Sequence, residues 1–409
     1  MLFKRTTLSE KKAFIVLSVL MFIFSAQISL TLYIDSSYLK DAISRTPSLS
    51  EKAVWANPDD MVGTIYTLAS LVTILALLTA PRILRRFGNY LWTLGILILH
   101  SALLLALSMF DSAWLIIPIF MIETALTSIL YFNFDVFLER YSKNENTGAI
   151  RGLFMMIGSI AWLLPPFLAG VIIERSGFQL VYLVGATIMV PTIFIIMRYF
   201  SHFEDLKYDD APLLMSHDTA KKNPSIGHIL SVNFCLHFFY AWMVIYSPIY
   251  FHDTLGISYG DFGIIMAFAL TAFVLVPYPE GRISDKYIGE KELLILGFLL
   301  MGLTSLAIPY FSSHALSLFA WGALLFIGRI GAATVETMAE TYFFKQIDGG
   351  NTELMGHFRR SRPLAFIAAP LLASFLLQTN LITLSGLFTL LGGIMICAIY
   401  FPLRLVDTK

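Results

Sequence analysis

Long apolar runs alternate with short polar breaks along the whole 409-residue chain. Twelve runs stand out. The first half carries Ala13–Ile34, Met61–Ala80, Tyr90–Phe110, Ala113–Phe132, Gly148–Ile173 and Phe178–Phe200. The second carries Ile226–Phe251, Asp261–Tyr278, Leu293–Phe311, Ala315–Phe344, Pro363–Gln378 and Leu381–Phe401. At 1.5 Å per residue the first run is about 33 Å long as a helix, enough to cross the hydrocarbon core of a bilayer. Lipid offers no partner for a backbone N–H or C=O, so runs of this length cross as helices. The pattern predicts an all-α membrane protein with twelve transmembrane spans, numbered 1 to 12 in chain order. Lys4, Arg5, Lys11 and Lys12 before span 1, and Ser25-Ala26-Gln27 within it, suggest a signal peptide. The length of the run favours an uncleaved span.

Hydrophobic residues make up 57% of the sequence and Asp, Glu, Lys and Arg only 14%, against about 25% charge in soluble domains. That is too little charge to coat soluble domains of this total size. The formal net charge is zero, which gives no hint of nucleic-acid binding. Cys235 and Cys397 sit inside apolar runs without metal or disulfide spacing and read as small apolar side chains.

The distribution of charge fixes an expected orientation. With the N-terminus inside, 23 of the 28 Lys and Arg fall in inner segments, four (Lys40, Arg45, Lys52 and Arg175) in outer loops, and Arg329 inside a span. Positive charge is retained on the cytoplasmic side, so both termini are expected to be cytoplasmic. Residues 34–60 read as a polar outer loop. Residues 201–225 are polar, contain Pro212 and Pro224, and read as a tether. The expected domains are therefore a six-helix bundle over 1–200, a cytoplasmic linker over 201–225 and a second bundle over 226–409. Shifting the first half by 205 positions puts Asp135 on Glu340, Asn146-Thr147 on Asn351-Thr352 and Pro165 on Pro370 without a gap. The two bundles thus read as a pseudo-symmetric repeat.

One loop carries a family resemblance. Gly281-Arg282-Ile283-Ser284-Asp285-Lys286-Tyr287-Ile288-Gly289-Glu290-Lys291, between spans 8 and 9, resembles the GxLxDRxGRR loop of the major facilitator superfamily with one residue inserted. Its counterpart between spans 2 and 3, Pro81-Arg82-Ile83-Leu84-Arg85-Arg86-Phe87-Gly88-Asn89-Tyr90, keeps Arg-Phe-Gly but has Arg85 at the aspartate position. The resemblance covers essentially the whole chain. It implies an inner latch in which Arg86 pairs with Asp135 and Lys286 with Glu340, while Asp285 faces the start of span 5 near Arg151. It also implies a central cavity lined by spans 1, 4, 7 and 10. Topogenic charge is the plainer reading of the same residues.

Ionisable side chains in the middle of a span are costly and mark functional sites. Glu123 in span 4 and Arg329 and Glu336 in span 10 qualify. The repeat shift puts Glu123 on Gly328, next to Arg329, so the two are expected to face one cavity from opposite bundles. Arg329 would hold a polar or anionic group of the solute, and Glu123 or Glu336 would carry a proton; the alternative is a static ion pair. Asn233, His237 and Tyr240 in span 7 share one helical face, followed by Trp242 and Tyr246. Gln27 and Thr31 offer similar contacts in span 1. His100 in span 3 reads as a packing histidine, and Asp35 and Asp261 as solvated charges at outer helix ends. Pro165-Pro166-Phe167-Leu168-Ala169-Gly170 loosely resembles an antiporter stretch of the family and would kink span 5. No broken, carbonyl-rich helix suggests a sodium cage.

No phosphate-binding loop or hydrolase motif is present, so the chain is expected not to be an enzyme and to need no cofactor beyond a coupling ion, H+. The sequence reading is a monomeric multi-pass plasma-membrane transporter of a small organic solute, embedded in the lipid bilayer, with proton symport ahead of efflux antiport. A membrane sensor or assembly partner with the same fold, without transport, is the reading from another class.

Overall fold

A computed structural model describes residues 10–46, 58–141, 156–201, 203, 224–314, 316–346 and 352–406. It contains twelve helices long and apolar enough to cross a membrane. These are Lys12–Leu32, Met61–Ala80, Arg82–Met109, Ala113–Leu138, Met156–Ser176, Phe178–Tyr199, Ser225–Thr254, Tyr259–Ser284, Glu290–Phe311, Leu318–Gln346, His357–Gln378 and Leu384–Leu403. Each coincides with an expected run. Differences at the ends reflect helices that continue past the apolar stretch into polar turns, as at Tyr259–Ser284 and His357–Gln378.

The chain divides into two compact units. The first comprises Met1–Leu49 and Leu68–Asp210, the second Ser50–Thr67 and Ala211–Lys409. The sequence placed 50–67 with the first bundle, but the start of span 2 groups with the second. Close packing is the cause: a Cβ on Gly63 would overlap Ser374 Oγ and Tyr246 Oη. The expected linker lies almost wholly outside the described residues.

In the first unit, span 1 packs on spans 4, 5 and 6. Spans 2 and 3 run as one kinked element, Pro58–Met109, whose part from Leu68 onward belongs to this unit, turning at Gly88 with φ 75° and ψ 157°. Side chains with a Cβ avoid that backbone conformation, which accounts for the glycine of the Arg86-Phe87-Gly88 turn. The polar loop expected after span 1 is partly helical. Asp35–Ser44 forms a short helix that buries Asp35, Ser36, Ser37, Tyr38, Leu39, Ala42 and Ile43. Tyr38, Leu39, Ala42 and Ile43 fall at helical spacing and give it an apolar face. Tyr38 anchors it by donating to Leu107 O (2.7 Å) and packing its ring 4.7 Å from that of Tyr182.

In the second unit, span 9 packs on spans 10 and 12, and span 7 on spans 10 and 11. Small residues bring these backbones together. A Cβ on Gly331 would lie 2.6 Å from Gly297 O, and one on Gly392 would lie 2.9 Å from Gly302 O. Span 5 is interrupted over 161–164 just before Pro165-Pro166, where the helix Pro165–Ser176 restarts. Span 8 is also interrupted: it runs as Tyr259–Leu270, Ala272–Leu275 and Pro277–Lys286. The junction residues Thr271 and Val276 keep right-handed helical backbone. The breaks are therefore kinks at Pro277 and its neighbourhood, without an unwound row of carbonyls.

Candidate functional site

The first unit holds a buried polar cluster built from spans 1, 3, 4 and 6 and the short helix. Glu123 is 9% exposed and His100 fully buried. His100 Nδ1 lies 3.6 Å from Glu123 Oε1, and His100 Nε2 lies 2.9 Å from Gln27 Oε1. If the Gln27 oxygen accepts from Nε2–H, Nδ1 is left bare toward the carboxyl. Such an arrangement can hold one proton on either group, with a small rotation closing the remaining gap. Thr127 Oγ1 donates to Glu123 Oε1 (3.1 Å), and the Phe24 ring packs 6.1 Å from His100.

Asp35 extends the cluster. It is 7% exposed and accepts a 2.7 Å hydrogen bond from Tyr182 Oη. It lies within reach of the Glu123 charge. Burial first, and that like charge second, push its carboxyl well above the ordinary aspartate range, while the tyrosine hydrogen bond opposes them. The solvated end-charge expected at Asp35 is thus corrected: Asp35 opens the short helix on its buried side and is shielded from solvent.

The sequence reads His100 as a packing histidine because span 3 is not expected to line the cavity; the structure places it, fully buried, between Gln27 and Glu123. Asp35 was hidden by a window that ended with span 1. Thr31 is turned inward, donating to Ile28 O (3.4 Å) of its own helix.

The second unit gathers a different set. Tyr240 Oη donates to Glu336 Oε2 (2.8 Å), joining spans 7 and 10. The His237 ring lies 5.9 Å from that of Tyr240, and its Nδ1 contacts Asn233 O (2.8 Å). The charge of Arg362 acts on both Glu336 and His237. Asn233 holds span 11, donating Nδ2 to Phe358 O (2.9 Å), and Trp242 donates to Ala369 O (2.6 Å). Arg329 is 2% exposed, with its guanidinium 5.9 Å from the Phe239 ring. Glu280, unnoticed in the sequence beside the loop motif, accepts from Thr334 Oγ1 (2.6 Å). Glu123 and Arg329 belong to different units, and the base beside Glu123 is His100 of its own bundle.

At the helix ends next to the loops between spans 2 and 3 and between spans 8 and 9, Arg86 is exposed and lies over the Phe87 ring at 5.4 Å. Lys286 is also exposed, while Asp135 and Glu340 are half-buried. Among the described residues no ion pair joins Arg86 to Asp135 or Lys286 to Glu340. Glu290, the tenth residue of the span 8–9 motif, is buried and paired with Lys345 of span 10. Arg151 and the Asp285 side chain lie outside what the structure describes.

The model of the Major Facilitator Superfamily matches residues 13–351 and 229–409. Known structures share the fold. An auto-inhibited POT family peptide transporter superposes with a TM-score of 0.76 at 10% identity, covering 97% of this chain and 98% of that one. The D323A mutant of the nucleoside transporter NupG gives 0.69 at 10% identity, with 96% and 99% covered. The human organic anion transporter MFSD10 gives 0.63 at 14% identity, also with 96% and 99% covered. No curated protein matches the sequence.

Proposed function

The chain belongs to the major facilitator superfamily, and on that premise we propose that it is a proton-coupled secondary transporter carrying a small organic solute by alternating access. Family and fold make it a multi-pass membrane transporter rather than an enzyme. The observation that carries proton coupling is the buried Glu123–His100–Gln27 set. A carboxyl and an imidazole, desolvated together and 3.6 Å apart, are groups whose proton occupancy responds to a change of water access. H+ is the coupling ion and no cofactor is needed.

The solute is met by the second unit. His237, Tyr240 and Glu336 are only half-buried, and Arg362 is exposed, which suits contact with a polar solute bearing a planar ring. Arg329, behind Phe239, holds span 10 to span 7 and supplies fixed positive charge. The solved neighbours are transporters of peptides, nucleosides and organic anions, and a polar organic solute of that kind fits these side chains. Uptake symport across the plasma membrane, with both termini cytoplasmic, is the favoured direction. Efflux antiport is the second reading, supported by the interruption of span 5 before Pro165-Pro166.

Proteoliposomes with an entrapped pH dye test this. Solutes that raise the melting temperature of the purified protein (from a panel of sugars, nucleosides, amino acids, dipeptides and carboxylates) should drive proton movement that E123Q abolishes. Saturable binding with no proton or solute flux would overturn the reading in favour of a sensor.

A further inference from the structure

The Asp35 carboxyl has no role in the scheme above, yet its setting resembles that of Glu123. It is buried, at the far end of span 1 from the N-terminus, and held by the Tyr182 hydroxyl at 2.7 Å. The two residues that follow it in the short helix, Ser36 and Ser37, are buried as well, and their hydroxyls have no hydrogen-bond partner in the protein, in contrast to the usual satisfaction of buried hydroxyls.

The groups around Asp35 are few. Span 4 contributes Glu123, with His100 of span 3 behind it. Span 6 contributes Tyr182, and the short helix itself contributes Tyr38. Further along the short helix Lys40 and Asp41 are half-buried; Arg45 pairs with Asp41 and with the exposed Asp111, which also accepts from Gln179. The charge that acts on Asp35 most strongly is the like charge of Glu123. Two carboxyls in one desolvated cluster cannot both ionise without mutual repulsion, so the proton affinity of each depends on the state of the other.

We propose that Asp35 is a second proton-binding site of this transporter, coupled to Glu123 so that the pair holds a shared proton, with Tyr182 as the residue that positions it. The chemistry is a simple transfer: a proton arrives on the Asp35 carboxylate, leaves it for Glu123, and Asp35 returns to a carboxylate that Tyr182 stabilises. The transport consequence rests on the proton-coupled reading above, whereas the pair itself does not.

Infrared difference spectroscopy of the purified full-length protein, following the C=O band of protonated carboxyls against pH, needs no solute. E123Q should move the Asp35 titration down by at least about one pH unit, a tenfold change in proton affinity, and D35N should move that of Glu123 down by the same amount, since linkage is reciprocal. Y182F, which keeps the ring and removes the donor, should move the Asp35 titration up, because the hydroxyl stabilises the carboxylate. An Asp35 band that titrates at one pH in wild type, E123Q and Y182F overturns the proposal. Reciprocal shifts without solute-driven proton flux in the liposomes would uphold the pair and sink the coupled-transport reading. Flux that survives D35N, with no reciprocal shift, would sink the pair alone.

Discussion

Spans 3 and 4 of the first unit and spans 9 and 10 of the second are repeat-related, and they have been put to opposite uses. Under the 205-residue shift Glu123 corresponds to Gly328 and His100 to Ser305. In the first unit this contact is a buried acid–base pair, 3.6 Å apart. In the second it is a seam of small residues, where a Cβ on Gly328 would lie 2.7 Å from Thr304 Oγ1 and one on Gly331 2.6 Å from Gly297 O. A seam of that kind has one tight fit and little room to change. A charge pair pays desolvation to stay and changes state with a proton. The contrast sets a rigid spans 9–10 seam against a titratable pair at the spans 3–4 contact, where the proposed proton site lies.

The largest effect should come from breaking the seam. Gly331→Leu places side-chain atoms where Gly297 O and the Leu300 Cβ already stand, and should cost about 3 kcal/mol or more as the helices part, seen as a large fall in melting temperature and in folded yield. Gly95→Leu in span 3, where a Cβ would meet nothing within 4 Å, should change stability by no more than about 0.5 kcal/mol. Equal damage from both would erase the contrast. The converse break is chemical. E123Q and R329A should each reduce solute uptake to background with wild-type amounts of protein in the membrane. The two should differ in counterflow, which E123Q should retain because it removes a titrating group while keeping the shape of the side chain.

Which parts of this contrast were legible in the sequence follows from what a pattern records. Apolar runs record length and depth, so the spans came through, Met61–Ala80 to the residue. Depth also singled out Glu123 and Arg329. Facing between distant helices is recorded nowhere in a single sequence. His100 therefore looked like packing although it meets Gln27 from 73 residues away. The short helix was missed because its buried face is half polar, with Asp35, Ser36 and Ser37 beside Tyr38 and Leu39. The loop resemblance pointed to the span 8–9 loop, but to Asp285 and Lys286 of it, whereas the ion pair there is made by Glu290 with Lys345.

A smaller effect tests the Asp35 environment through stability. Its carboxyl is raised in the folded protein by burial and by Glu123, so the folded state favours the protonated form. The stabilising share is complete below the ordinary aspartate titration near about pH 3.9, and is lost as pH rises through the folded-state value. Wild-type melting temperature should therefore decline across that window, and D35N should remove the decline. The two proteins should melt together at about pH 4 and separate upward in favour of D35N by a few degrees toward neutrality. A constant offset at every pH would mean that Asp35 matters only for packing.

The smallest effects lie at the inner ends, where the loops of the two units again differ. Glu290 is buried and Lys345 is 44% exposed. Lys345→Met leaves a desolvated carboxylate without its cation, and should cost about 1–2 kcal/mol after allowance for solvent screening at the lysine end. Arg86 has no such partner among the described residues; it covers the Phe87 ring at the surface. Arg86→Met keeps an apolar stem over that ring and should leave the melting temperature within the effect of about 0.5 kcal/mol. The resemblance of its loop to the family motif would still have Arg86 act on transport, through an inner latch made in another state of the cycle. Arg86→Met then lowers turnover with stability unchanged, whereas Lys345→Met lowers both. An Arg86→Met protein that transports like wild type leaves topogenic charge as the role of that arginine, and places the inner closure of the second unit on Glu290 and Lys345.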